Sequence, residues 1–136
     1  MIHNIVMLWP DINLDLDLKL KETKGDAIIL NVIVDTLDLT GWEIRCEVYD
    51  LNKSIKLSSV GPSGYVPTIT VESAPSGMGK FQVIVPAGST GTFQQFGQIE
   101  IELTDPNGNL FTLLNQQIWF VNERIIWTNP ETGGNQ

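Results

Sequence analysis

The sequence predicts an all-β protein, an antiparallel β-sandwich of roughly eight to ten short strands, and three observations predict it. Apolar and polar residues alternate with period two over several stretches, which puts one set of side chains on a buried face and the other in water. Turn-forming Gly, Pro, Asn and Asp recur about every 8–12 residues. No stretch carries the 3.6-residue period of a long amphipathic helix. A small β-barrel satisfies the same pattern and is the alternative.

From the N-terminus, residues 3–8 read as a first strand, ended by Trp9-Pro10. Residues 12–20 then alternate cleanly, with Ile12, Leu14, Leu16, Leu18 and Leu20 set against Asn13, Asp15, Asp17 and Lys19. A helix would scatter those leucines around its circumference, whereas a strand collects them on one side. Lys24-Gly25 breaks the run. Residues 25–48, GDAIILNVIVDTLDLTGWEIRCEV, hold a nearly continuous apolar strand from Ile28 to Val34 and a polar turn from Asp35 to Gly41. The next strand, 43–50, places Ile44, Cys46 and Val48 inward and Glu43, Arg45 and Glu47 outward. A weaker strand follows around 54–58.

Gly61-Pro62-Ser63-Gly64 and Pro67 mark a flexible loop. Strands resume at 68–72, with Ile69 and Val71 inward, and at 80–85, with Phe81, Val83 and Val85 inward. Residues 86–96 hold too many Gly and Thr for more than one turn of helix. Strand 97–104 puts Ile99, Ile101 and Leu103 on the core face, and Asp105-Pro106-Asn107-Gly108 turns the chain, because Pro presets φ and Asn-Gly tolerates positive φ. The partner strand runs from 109 to 121. A short strand from Arg124 to Trp127 precedes a frayed polar tail, 129–136. The expectation is a single domain over 1–128.

The chain has 136 residues, with 16 Asp and Glu against 8 Lys and Arg. Such a length buries enough surface to fold without a disulfide or metal staple. The acidic balance disfavours nucleic acid and anionic membranes as partners. The start, MIHNIVMLWPD, lacks the basic end and apolar core of a signal peptide, and no segment approaches the ~20 apolar residues of a membrane span. Synthesis in a cytoplasm is the expectation.

Chemistry is sparse. His3 is the one histidine and Cys46 the one cysteine, which leaves no Ser-His or Cys-His pair with an orienting carboxylate and no zinc set. Gly88-Ser89-Thr90-Gly91 lacks the lysine and spacing of a phosphate loop. Asp15 and Asp17 share the wet face of one strand and could join a calcium site, though a solvated edge or an intersubunit contact explains them as well. Asp105-Pro106-Asn107-Gly108-Asn109 imitates the start of a calcium loop, but its glycine sits fourth and position twelve of that frame is Gln116. No enzyme, cofactor or metal is expected. Trp9, Trp42, Trp119 and Trp127 all sit at strand ends or beside turns. Sealing the ends of the sandwich is their plain role; stacking on sugars through Trp9, Trp119 or Trp127, in a carbohydrate- or cell-surface-binding module, is the alternative function.

Residues 25–48 resemble the N-terminal module of phage baseplate upper proteins in wording as well as pattern: Gly25-Asp26, a hydrophobic strand, then Asp38-Leu39-Thr40-Gly41 and a charged strand. The resemblance continues through Gly79-Lys80-Phe81, the hairpin GQIEIELTDPNGNL at 97–110 and a strand ending near Val121. It implies an Ig-like sandwich and a structural virion protein of the phage tail. Such a protein plugs a receptor-binding part into the baseplate, forms a homotrimer, meets other tail or baseplate proteins, and has no catalytic residue. Residues 1–24 form an N-terminal extension strand that the usual module lacks. A strand with five apolar residues on one face must extend its own sheet or pair with a neighbouring subunit. Leu14, Leu16 and Leu18, with Trp9 and Trp127 near the termini, are therefore the candidate interface residues. The family module is followed by a long chain to the receptor-binding tip, whereas this sequence ends at Gln136 without a heptad segment. The expectation is a stand-alone tail or baseplate component, made in the bacterial cytoplasm and carried in the virion.

Overall fold

The structure, a computed structural model, describes residues 2–12, 20–50, 56–60, 67–72, 78–91, 93 and 95–121. Nine strands and no helix lie among the described residues: β1 (Ile2–Leu8), β2 (Leu20–Thr23), β3 (Ile28–Asp35), β4 (Glu43–Asp50), β5 (Lys56–Ser58), β6 (Thr68–Val71), β7 (Met78–Val85), β8 (Phe96–Thr104) and β9 (Leu110–Val121). They form a four-stranded sheet in the order β1-β3-β7-β6 and a five-stranded sheet in the order β2-β9-β8-β4-β5. The two sheets pack together as a sandwich around one core. Among the described residues each sheet keeps two edge strands, so these strands form two open sheets and not a closed barrel.

The all-β expectation holds, but the sheets are mixed and not antiparallel throughout. β1 runs parallel to β3 and β2 runs parallel to β9. Alternation could not reveal this, because side chains alternate identically in both kinds of ladder. Direction follows from connectivity: the chain leaves β1 at the edge of one sheet and enters β2 at the edge of the other. Neither strand is joined to its neighbour by a hairpin. The strand expected over 12–20 also differs. Ile12 lies outside the strands, its N–H bonded to the Pro10 carbonyl at 2.8 Å, and Leu20 opens β2, which runs on to Thr23. Residues 13–19 lie outside the described residues, as do the 61–66 loop, the 124–127 strand and the tail.

The core is built from the inward residues of both sheets. Leu30, Val32 and Val34 of β3 and Phe81, Val83 and Val85 of β7 face Cys46 and Val48 of β4, Ile99, Ile101 and Leu103 of β8, and Ile118 and Phe120 of β9. The register of β8 against β9 shifts between Ile101 and Glu102. Leu113 is the extra residue of that bulge, which explains how the consecutive Leu113 and Leu114 are both buried. Strand β6 departs from expectation at one residue. Ile69 and Val71 oppose the buried Val83 and Phe81, so the predicted face is right, yet Val71 is 55% exposed. The strand is a four-residue sheet edge, and the opposite sheet does not cover that corner.

Turns carry their own chemistry. Thr40 donates both its N–H and its hydroxyl to the Asp38 carboxylate, and Gly41 follows at φ 80°. The two bonds hold the Asp38 carboxyl below the usual range, the backbone one contributing more. Thr36 takes φ 65°, a left-handed conformation costly for a β-branched residue. Bonds from its N–H to Asp35 and from its hydroxyl to the Trp9 carbonyl, both 2.9 Å, offset the strain.

Cys46 is fully buried, and burial, with a smaller effect of the Glu47 charge, pushes its thiol up to about 12. A thiol reagent at pH 8 is therefore expected to label native protein slowly and denatured protein at once. Replacing Cys46 with Ala should cost about 1–2 kcal/mol. Rapid labelling in native buffer would show β4 inverted.

Candidate functional site

Of the residues the sequence nominates, Leu14, Leu16, Leu18 and Trp127 lie outside the described residues. So do Asp15 and Asp17. Trp9 is half-buried at one end of the sandwich, edge-on to Trp42 at 5.4 Å and to Phe111 at 5.2 Å. Three aromatics from the end of β1, the approach to β4 and the start of β9 thus close that end together. Trp9 and Trp42 take the sealing role.

The remaining chemistry is engaged structurally. Asp105 accepts from the N–H groups of Asn107 and Asn109 and from the Asn109 side-chain amide, at 2.9, 2.7 and 2.9 Å. The Asn109 side chain first, and the backbone donors after it, hold its carboxyl low. A carboxylate saturated by its own turn is a poor start for a calcium loop. Among the described residues no group of three or more His, Cys, Asp or Glu could hold a metal ion. His3 meets Glu22 at 3.0 Å, with the Glu22 side chain 1% exposed. Since β1 and β2 are edges of different sheets, this pair ties the two sheets together along one side.

Two surfaces remain free. The outer face of the five-stranded sheet is charged. Glu43, Arg45 and Glu47 of β4 stand beside Thr104, Glu102 and Glu100 of β8. Glu47 bonds to Arg45 at 2.8 Å and to Lys56 at 3.2 Å. Partial burial works against its ionisation, but these two cations outweigh burial and hold its carboxyl below the ordinary range. The Tyr49 hydroxyl donates to Glu100, and that bond, reinforced by burial, pushes the phenol up to about 12.

At one corner of this face, three adjacent strands line up Lys21, Trp119 and Phe96 in register. Trp119 is 43% exposed. The Lys21 ammonium lies 4.7 Å from its ring centre, and Phe96 stacks at 6.4 Å. A groove of about 360 Å³ opens here, lined by Leu20, Lys21, Phe96, Gln117 and Trp119. β2 and β8 flank β9 from opposite sides, so the indole has a neighbour on each side. That geometry sets the indole between Lys21 and Phe96 at the wall of the groove.

The outer face of the four-stranded sheet is different in kind. Ile2, Val6 and Leu8 of β1 are 59%, 67% and 53% exposed. Ile29 and Ile33 of β3 and Ile84 of β7 share that face, half-buried by their neighbours. Across its middle runs a row of amides: Gln82 donates to Asn31 at 2.9 Å, and Asn31 donates to Asn4 at 3.1 Å. Its one described lysine, Lys80, is paired with Glu72 at 3.1 Å. The exposed apolar side chains of β1 thus stand beside the amide row on this face.

The sequence carried a signal for this face. Ile28 to Val34 is almost continuously apolar, the pattern of a strand covered on both sides. Alternation alone singles out the 12–20 leucines and does not register this face. In comparison with known proteins, no family model, no curated protein and no solved structure matches this chain.

Proposed function

We propose that the chain is a non-enzymatic structural protein of a phage tail or baseplate, built on an Ig-like variant of the sandwich, that assembles with itself and with other tail or baseplate proteins. The observation that carries the reading is the contrast between its two free faces. One is apolar with a central amide row; the other is laced with charge pairs. A protein in a layered assembly needs such inequivalent surfaces, one to bury against a neighbour and one to stay wet or meet a charged partner. The residues that resemble the baseplate module fit this role. Asp38 to Gly41 and Asp105 to Asn109 turn the chain with bonds inside their own turns, which suits them to act as scaffold.

In this role the protein is made in the bacterial cytoplasm and carried in the virion, where it joins a receptor-binding part to the tail. Phage particles purified from a host encoding the chain are expected to contain it in a fixed ratio to the other tail proteins, with immunogold label at the tail. Recovery of the chain only outside particles overturns the proposal.

A further inference from the structure

We propose that the outer face of the four-stranded sheet receives the same face of a second copy, related by a two-fold axis. This rests on the self-assembly reading above and names its surface and symmetry.

The first argument is charge. The chain carries a formal net charge of −8, so two copies repel unless they meet where charge is sparse. The outer face of the five-stranded sheet brings Glu43, Glu47, Glu100 and Glu102 forward. Although Arg45 and Lys56 pair with Glu47, it is dense in charges that a contact would have to desolvate, and it fails that condition. The four-stranded face meets it. Its Lys80 is neutralised by Glu72, and the Asp35 carboxylate is engaged by the Thr36 N–H at 2.9 Å.

The second argument is the amide row. Its bonds run one way, from Gln82 Nε2 to Asn31 Oδ1 and from Asn31 Nδ2 to Asn4 Oδ1. The row therefore ends in an acceptor, the Gln82 carbonyl oxygen, and a donor, the Asn4 amide nitrogen. A two-fold axis lying in the plane of contact and perpendicular to the row brings the two faces together with their rows antiparallel and sets each donor end against an acceptor end. An isologous contact requires this kind of self-complementarity. The third argument is apolar area. Ile2, Val6 and Leu8 flank the row, and no described residue covers them. Three strands of seven or eight residues and the four-residue β6 offer a face on the order of the ~800 Å² that a stable contact buries on each partner.

An isologous contact closes at two copies. The solution species is therefore a dimer, where the baseplate resemblance alone implies a trimer. Sedimentation velocity on the full chain tests this against Val6→Glu and, independently, Leu8→Glu. Both sites are more than half exposed, so neither change touches the core, and circular dichroism checks that each variant is folded. Glu102→Gln, on the opposite face, is the control. The expected result is a dimer for the parent and the control, and at least a tenfold weaker dimer for both Glu variants. A parent that sediments as a monomer or trimer overturns the proposal, as does a dimer that folded Val6→Glu and Leu8→Glu leave intact. The two readings fail separately. A monomer incorporated into phage tails sinks the face and spares the virion role, and a dimer absent from particles does the reverse.

Discussion

Deleting residues 1–23 is expected to leave a chain that does not fold. β1 pairs with β3 at seven register positions and is the outer strand on that side of its sheet. β2 closes the corresponding side of the other sheet against β9. The deletion would strip both, remove the buried Ile5, Met7 and Leu20, and cut the His3–Glu22 tie between the sheets. Losing three buried side chains alone forfeits roughly 5–9 kcal/mol at about 1.5–3 kcal/mol each. Two ladders of backbone bonds go with them, and the edges of β3 and β9 are laid bare. A domain of this length has only about 7–20 kcal/mol of net stability. A chain beginning at Lys24 should show a disordered far-UV spectrum and no cooperative melt. A folded, two-state truncated protein would mean that the N-terminal segment is an appendage after all.

The resemblance presents residues 1–24 as an extension that the usual module lacks, whereas β1 and β2 pair within the two sheets. The strands from 28 to 121 were legible because each alternates, or runs apolar, between strong turn signals such as Gly41 and Asn107-Gly108. Their inward faces were legible too: Cys46, Val48, Phe81, Val83, Ile99 and Ile101 are all buried as their alternation requires. What alternation does not encode is which strand lies beside which, or in which direction. The N-terminal strands therefore looked like an addition to a complete module, when their parallel pairing makes them the edges of both sheets. Burial at an edge was equally hidden, as Val71 shows.

The candidate surface was half legible. The run from Ile28 to Val34 announced a strand apolar on both faces, but only the sheet order shows Ile33 beside Val6 and Lys80. The amide row needs Asn4, Asn31 and Gln82 in register, and these residues are 27 and 51 positions apart in sequence. No local pattern could have joined them. The same holds for the groove at Trp119, whose neighbours Lys21 and Phe96 come from two other strands.

Phe120→Ala is expected to cost about 3–5 kcal/mol, a fall in melting temperature on the order of 10 °C or more. Phe120 is 2% exposed and meets Phe93 edge to face at 5.4 Å. Its ring also lies against the bare backbone of Gly97. A Cβ placed on Gly97 would come within 2.7 Å of the ring edge and 2.9 Å of the Tyr49 carbonyl oxygen. Gly97→Ala should therefore cost about 1–3 kcal/mol by overpacking. Gly91→Ala, where the nearest atom would be 3.6 Å away, should be nearly neutral. The two harmful changes share one contact, so they should not add. With the ring gone, the new methyl enters part of the vacated space, and its remaining conflict is with the Tyr49 carbonyl. The double variant should be more stable than the sum of the single losses by on the order of 1 kcal/mol. Thermal or urea unfolding of the four proteins in the Phe120–Gly97 cycle measures that coupling directly. Strict additivity would mean that ring and glycine are not in contact, and that β9 sits against β8 differently from the arrangement described.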